Sequence, residues 1–181
     1  LDPILQGIER KVTPQMNQEL TRDYTEREVE VALKQMKSIS APGLDGMPPI
    51  FFKHYWNTVG PDVLSATLSV LNSGIIPPNI NHTFISLIPK IKSPATAKDF
   101  RPISLCNVIY KLIFKTIANY LKKCLPKLIS DSQSAFLSNR LITDNILIAF
   151  ETLHHLKNKR TGKTSSMALK LDMSKAYDRV E

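Results

Sequence analysis

Cysteine is nearly absent from this 181-residue chain: only Cys106 and Cys124 occur, far apart and in no CxxC motif. That excludes a disulfide framework and fits a reducing compartment. Histidine is scarce too. His54, His82, His154 and His155 have no metal-ligand spacing with a cysteine or with one another, and the adjacent pair His154-His155 points to different sides of a predicted helix. No serine or cysteine nucleophile has a recognisable partner. No apolar run approaches the roughly 18 residues that a membrane span needs. The opening Leu1-Asp2-Pro3 has neither a basic nor an apolar leader region, so no signal peptide is expected, and without an initiating Met the chain reads as a piece of a longer one. With no secretory signal, the sequon Asn81-His82-Thr83 is taken as a chance match. Gly162-Lys163-Thr164 imitates the end of a phosphate-binding loop. That motif needs a glycine where Lys157 stands, and the predicted strand follows the loop instead of preceding it, so the motif is rejected.

One stretch lacks acid. From Lys90 to Lys127 there are nine basic residues (Lys90, Lys92, Lys98, Arg101, Lys111, Lys115, Lys122, Lys123 and Lys127) and one acid, Asp99, giving 9 − 1 = +8. The rest holds 24 − 9 = 15 bases and 16 − 1 = 15 acids, so the whole net charge of +8 lies in that segment. A concentrated positive charge inside a neutral remainder points to a polyanionic partner: nucleic acid, nucleotide phosphates or an anionic membrane. A solvated basic face is the plain alternative. Hydrophobic content of 43% is ample for a packed core.

The hydrophobic pattern organises the chain. Thr25 and Glu28 form a capping box before a helix with Val29, Leu33 and Met36 on one face, running to about Lys37. The loop Ala41-Pro42-Gly43-Leu44-Asp45-Gly46 follows, its two glycines permitting backbone conformations that other residues resist. Phe51, Phe52, Tyr55 and Trp56 read as core in preference to a base-stacking platform. Gly60-Pro61-Asp62 predicts a helix start, with Val63, Leu64, Leu68 and Leu71 inward and Gly74 as the stop. Thr83–Ile88 and Phe100–Leu105 predict a hairpin with Lys90 and Arg101 near its tip. Asn107 is the expected cap of a helix over Val108–Cys124, apolar at Ile109, Leu112, Ile113, Ile117 and Leu121, with Lys111, Lys115, Lys122 and Lys123 on the other face. A further helix over Ile142–Lys157 is expected to turn Ile146, Leu147, Phe150 and Leu153 inward. The last predicted element is a strand over Met167–Asp172.

Asp172, a carboxylate at a strand end, suits a hard cation such as Mg²⁺, which takes one or two carboxylates, water and substrate phosphates. Alone it equally suits a cap for the next helix. The ordered set of motifs carries more. Ala41-Pro42-Gly43-Leu44-Asp45-Gly46, Leu87-Ile88-Pro89-Lys90, Asp99-Phe100-Arg101-Pro102-Ile103-Ser104, Gln133-Ser134-Ala135-Phe136 and Leu171-Asp172-Met173-Ser174-Lys175-Ala176-Tyr177-Asp178 occur in this order. The set resembles the reverse transcriptase of non-LTR (LINE-type) retrotransposons, especially those of plants, from about Tyr24 to Glu181.

The resemblance implies an α+β, right-hand polymerase fold. Residues 1–23 would be an N-terminal extension, 24–165 the fingers, and 166–181 the start of the palm, with the remaining palm strands and the thumb beyond Glu181. It implies RNA-directed DNA polymerase activity with RNA template, DNA primer and deoxynucleoside triphosphates as partners, no membrane, and a nuclear location. Asp172 would be the first catalytic aspartate and a ligand of a two-Mg²⁺ site that is incomplete in this stretch. Lys90, Arg101 and Met173, Ser174, Lys175, Ala176 and Tyr177 would surround the incoming triphosphate, Tyr177 excluding a ribose 2′-OH. Lys111, Lys115, Lys122 and Lys123 are candidates for template phosphates. The resemblance has departures: relatives usually have Val-Pro-Gly-Arg where Leu137-Ser138-Asn139-Arg140 stands, and arginine at the position of Tyr120. Asn139 tolerates a left-handed backbone and is expected to stand in for the glycine. A polymerase fragment inactive by itself and a non-catalytic nucleic-acid-binding remnant of a decayed element are the two readings carried forward.

Overall fold

The computed structural model describes residues 11–135, 137–159 and 166–172. In chain order the elements are α1 (Pro14–Thr21), α2 (Glu26–Gln35), α3 (Pro49–His54), α4 (Trp56–Ser73), β1 (Thr83–Pro89), a 3₁₀ turn (Ala97–Asp99), β2 (Phe100–Cys106), α5 (Val108–Leu121), α6 (Leu125–Leu128) and α7 (Ile142–Asn158). Mixed helices with one small sheet agree with the α+β class. The chain divides into two compact units, before and after the Leu128-Ile129 bond. Among the described residues no helix is long and apolar enough to cross a membrane.

The core of the first unit lies where four helices meet. Val29, Ala32 and Leu33 of α2 pack with Phe52 of α3, Val63 of α4, and Val108 and Leu112 of α5. Burying such side chains stabilises the fold by roughly 1.5–3 kcal/mol each. Helix α2 starts as its capping box predicts, Thr25 and Glu28 bonding each other's backbone, and ends at Met36. There Lys53 closes the helix: its Nζ donates to the Met36 carbonyl at 2.5 Å and the Lys34 carbonyl at 3.2 Å. The aromatic segment is largely core, as expected. Phe52 is buried, Phe51 and Trp56 pack against the cluster, and Tyr55 is half exposed.

Helix α4 begins at Trp56, earlier than the Gly60-Pro61 signal, and carries Pro61 in its second turn. Proline removes only the bond to the Asn57 carbonyl, and Asn57 is exposed, so water can replace the donor. Gly60 belongs there because a Cβ would lie 3.1 Å from the Trp56 indole. Gly74 ends the helix at φ 71°, as predicted. Helix α1 has no counterpart among the predicted elements, although Thr13 caps it by accepting from the Met16 N–H and Pro14 opens it.

Strands β1 and β2 form the predicted hairpin, antiparallel, with Ile88 opposite Arg101 and Pro89 opposite Phe100. Both faces are largely exposed. At its base β2 passes through Asn107 into α5. That helix ends three residues before the predicted Cys124, and it buries Val108, Leu112, Ile113, Thr116 and Tyr120. The stripe is turned from the predicted one. Ile109 is only partly buried and Leu121 is exposed. With apolar residues on most of its circumference, periodicity alone does not choose the face of α5; packing against α2 and α4 does. Thr116 is buried at no polar cost because its hydroxyl donates to the Leu112 carbonyl at 2.9 Å.

The glycine loop presses on the start of α5. A Cβ on Gly43 would overlap the Asn107 amide and stand 2.6 Å from its Cα. Gly46 has φ 67° and closes the turn by donating to the Gly43 carbonyl. Asn107 occupies the cap position but its side chain makes no cap bond; it instead accepts from the Asp45 N–H at 3.4 Å. Lys111 Nζ donates to the Ala41 carbonyl at 2.8 Å, a second tie between loop and helix.

In the second unit, α7 forms as predicted, but none of its residues is buried. Ile146, Leu147, Phe150 and Leu153 are 57–67% exposed and do not turn inward. The apolar spacing predicts the helix correctly, yet the unit supplies no element among its described residues to cover that face. The strand expected over Met167–Asp172 is not formed either: residues 166–172 have no regular structure. A strand exists only through ladder partners, and among the described residues β1 and β2 pair only with each other.

The Gly43–Asn107 contact makes a test. Gly43→Ala should lower stability by about 1–3 kcal/mol, because the clash is with backbone, and Gly46→Ala by about 1 kcal/mol, through its positive φ alone. Urea unfolding followed by helical circular dichroism would read both; equal small effects would argue against the close approach.

Candidate functional site

The hairpin tip gathers the expected triphosphate contacts. Lys90 follows the last β1 residue, and its N–H donates to the Asp99 carbonyl at 2.7 Å, closing the ladder. Its ammonium donates to the Lys98 carbonyl at 2.8 Å and is exposed, leaving two further donors. Arg101 is exposed one register step inside the tip, opposite Ile88. The register therefore sets both cations at one end of the hairpin.

Asp99, the only acid of the basic segment, organises the turn. Its Oδ2 accepts from the Thr96 N–H at 2.8 Å, the Ala95 N–H at 3.0 Å and the Thr96 hydroxyl at 3.1 Å. Those backbone donors, with the Lys90 charge a smaller influence, hold its carboxyl below the usual aspartate range. The pattern Thr96-x-x-Asp99 is a capping-box signal, so this role was visible in the residue spacing though the sequence reading passed over it.

A second constellation lies between α2 and the end of α5. Tyr120 is buried and its hydroxyl donates to the Glu19 carbonyl at 2.6 Å, tying α1 to α5. Its ring lies 4.8 Å from that of Tyr24, with the Arg22 guanidinium 4.7 Å and the Lys123 ammonium 5.2 Å from its centroid. Arg22 also grips Glu28, Nη2 to Oε1 at 2.5 Å and Nη1 to Oε2 at 3.3 Å. Burial pushes the Glu28 carboxyl up, but hydrogen bonds from Arg22 and Thr25 outweigh it and hold the group below its ordinary value. Burial, foremost, raises both Tyr24 and Tyr120. Tyr120 is thus a packed residue with cations on its ring.

In the second unit Arg140 staples the loop after α6. Its Nη1 donates to the carbonyls of Ser130 at 2.5 Å and Gln133 at 2.7 Å, and its Nη2 meets Asp131 at 3.2 Å. Asn139 before it has φ 64°, the left-handed conformation expected of a glycine substitute. Ser134 is buried and bonds Asn145 of α7 at 3.1 Å.

Of the expected palm residues, Asp172 is described and exposed. Met173, Ser174, Lys175, Ala176 and Tyr177 lie outside the described residues. Among those described, no group of three or more His, Cys, Asp or Glu comes together to hold a metal. Asp172 alone suits one ligand position of a hydrated Mg²⁺, not a complete two-metal site. Lys115 is partly buried on α5, while Lys122 and Lys123 are exposed just past its end.

The family described as reverse transcriptase (RNA-dependent DNA polymerase) matches residues 88–181, more than half of the chain. The chain belongs to the reverse transcriptase family. The match begins at Ile88, at the hairpin tip, and takes in Lys90, Arg101, the whole of α5 and Asp172. A relative, the "Transposon TX1 uncharacterized 149 kDa protein" of Xenopus laevis, is 34% identical over 170 residues. The alignment covers 94% of this chain and 13% of the relative's length.

The Glu28 network predicts a pH dependence. A carboxyl lowered on folding stabilises the fold above the unfolded-state value of about 4.3 and loses that contribution as pH falls through its folded value. Thermal unfolding between neutral pH and pH ~3 should therefore show a smaller acid loss in Glu28→Gln than in the wild type. A parallel loss in both would remove Glu28 as a source.

Proposed function

We propose that the chain forms the fingers and first palm segment of an RNA-directed DNA polymerase of a non-LTR, LINE-type retrotransposon. The observation that carries this is the family match over residues 88–181, which spans both hairpin cations and Asp172. The transposon named in the relative's title supports the mobile-element source. In this reading residues 24–165 are fingers and 166–181 begin the palm.

The reaction is attack of a primer 3′-OH on the α-phosphorus of a deoxynucleoside triphosphate, with RNA as template. A new phosphodiester bond forms and pyrophosphate leaves. Such transfer depends on positioning and charge neutralisation more than on covalent help from the protein. Mg²⁺, when bound, neutralises phosphate charge and polarises the attacking oxygen; Asp172 would be one of its ligands. Lys90 offers a compact charge and Arg101 a fork of donors to the triphosphate oxygens. Asp99 holds the turn between them. Met173 to Ala176 would form the floor beneath the triphosphate, and the Tyr177 ring would exclude a 2′-OH. Lys111, Lys115, Lys122 and Lys123 would lie along template phosphates.

Primer extension on RNA, measured in a polypeptide that carries these residues, tests the reading. Asp172→Asn should cut the rate roughly 100-fold or more while the fold persists. Lys90→Ala and Arg101→Ala should each lower kcat/KM for the nucleotide roughly 10-fold or more, mainly through KM. RNA binding with no Mg²⁺-dependent extension would favour the non-catalytic reading.

A further inference from the structure

The hairpin turn holds its cations by an indirect route. Lys90 is fastened at two points: its N–H donates to the Asp99 carbonyl at 2.7 Å and its Nζ to the Lys98 carbonyl at 2.8 Å. Both acceptors are backbone oxygens, so the place of the ammonium depends on the path of the chain through Lys98 and Asp99. That path is a 3₁₀ turn, Ala97–Asp99. Runs this short gain little from their own bonds, so the turn needs an anchor.

The anchor is the Asp99 side chain. Its Oδ2 takes the Ala95 N–H, the Thr96 N–H and the Thr96 hydroxyl. In return the Asp99 N–H donates to the Thr96 carbonyl at 3.0 Å. Thr96 and Asp99 thus close the turn from both sides. The direction of the carboxylate matters as much. Lys90 is near enough to lower the Asp99 carboxyl. Yet among the described residues no carboxylate lies within ion-pair distance of Lys90 or Arg101. The one acid of the basic segment is turned to the backbone, and both cations keep their charge open to phosphate oxygens.

We infer that Asp99 is a positioning residue for the nucleotide: it fixes the Lys98–Asp99 backbone that holds the Lys90 ammonium, and it keeps its own negative charge on backbone donors and off that ammonium. The inference rests on the triphosphate role given to Lys90 above, and it adds a residue that touches no phosphate itself. Removing Asp99 has two opposed consequences. As a bare negative charge beside a triphosphate, Asp99 repels the ligand, and its loss tightens binding. As the anchor of the turn, its loss releases Lys90 and weakens binding. The sign of the change separates the two.

The test is the KM for deoxynucleoside triphosphate in primer extension on RNA, by a polymerase polypeptide that carries this hairpin. Asp99→Ala should raise KM roughly 10-fold with kcat nearly unchanged. Asp99→Asn keeps a carbonyl oxygen for the same N–H donors and removes only the charge, so its KM should stay close to wild type. In a Lys90→Ala background, Asp99→Ala should add little, because it acts through Lys90. Amide exchange in the 181-residue chain gives a readout free of activity: Asp99→Ala should speed exchange at Ala95, Thr96 and Lys90 and leave α2 and α5 as they are. A KM lowered by both Asp99 variants overturns the inference in favour of simple repulsion. A fall in kcat with KM unchanged, or faster exchange throughout the first unit, makes Asp99 a general stability residue and overturns it as well. An equal rise in KM from Asp99→Ala with and without Lys90 overturns the route through Lys90. A raised KM in Lys90→Ala beside a wild-type KM in Asp99→Ala overturns the inference alone. An unchanged KM in Lys90→Ala overturns the triphosphate role of Lys90, and the inference with it.

Discussion

The approach of Gly43 to Asn107 is the contact on which the first unit depends. Asn107 is the single residue between β2 and α5, and Val108, next in the chain, is fully buried in the core. The direction in which the hairpin leaves the helices is therefore set at one peptide unit. The glycine loop packs on that unit from the side, held by the Asp45 N–H and by Lys111. A side chain at position 43 would push the loop from the helix at the residue where the hairpin is rooted, and the faces of the hairpin are largely exposed. Packing in the core and placement of the basic tip are thus coupled through a residue that has no side chain.

Local signals were legible in the sequence where a few neighbouring residues fix the outcome. The Thr25–Glu28 box, the Gly74 stop, the two strands of the hairpin and the left-handed Asn139 all follow from short-range chemistry. What the sequence left open depends on distant partners. Helix α5 is apolar on most sides, so its buried face is chosen by α2 and α4 and not by its period. Helix α7 has a clear apolar stripe that no described residue of its own unit buries. The segment ending at Asp172 has strand-like composition but no ladder among the described residues. Pro61 misled in the other direction, since an exposed helix turn tolerates one missing bond.

The candidate site divides in the same way. Lys90 and Arg101 could be put near one hairpin end from the strand boundaries and the polar linker between them. Asp99 was visible only as a charge exception, although its Thr-x-x-Asp spacing already describes the turn it builds. The Tyr120 cluster could not be read from sequence, because it joins residues about a hundred positions apart: Glu19, Arg22 and Tyr24 on one side, Tyr120 and Lys123 on the other. Tyr120, expected only as a departure from the resemblance, is in the structure a packed residue with its own cation partners.

The hairpin also has a mechanical meaning. Each strand has seven residues, so the arm is about 23 Å long at roughly 3.3 Å per residue. It is rooted at one end, through Asn107, and its cations are at the other. A rotation of about 10° at the root would sweep the tip through about 4 Å, more than the length of a hydrogen bond. The arm is therefore a lever: a small angular difference at its root becomes a displacement at the end that carries Lys90 and Arg101.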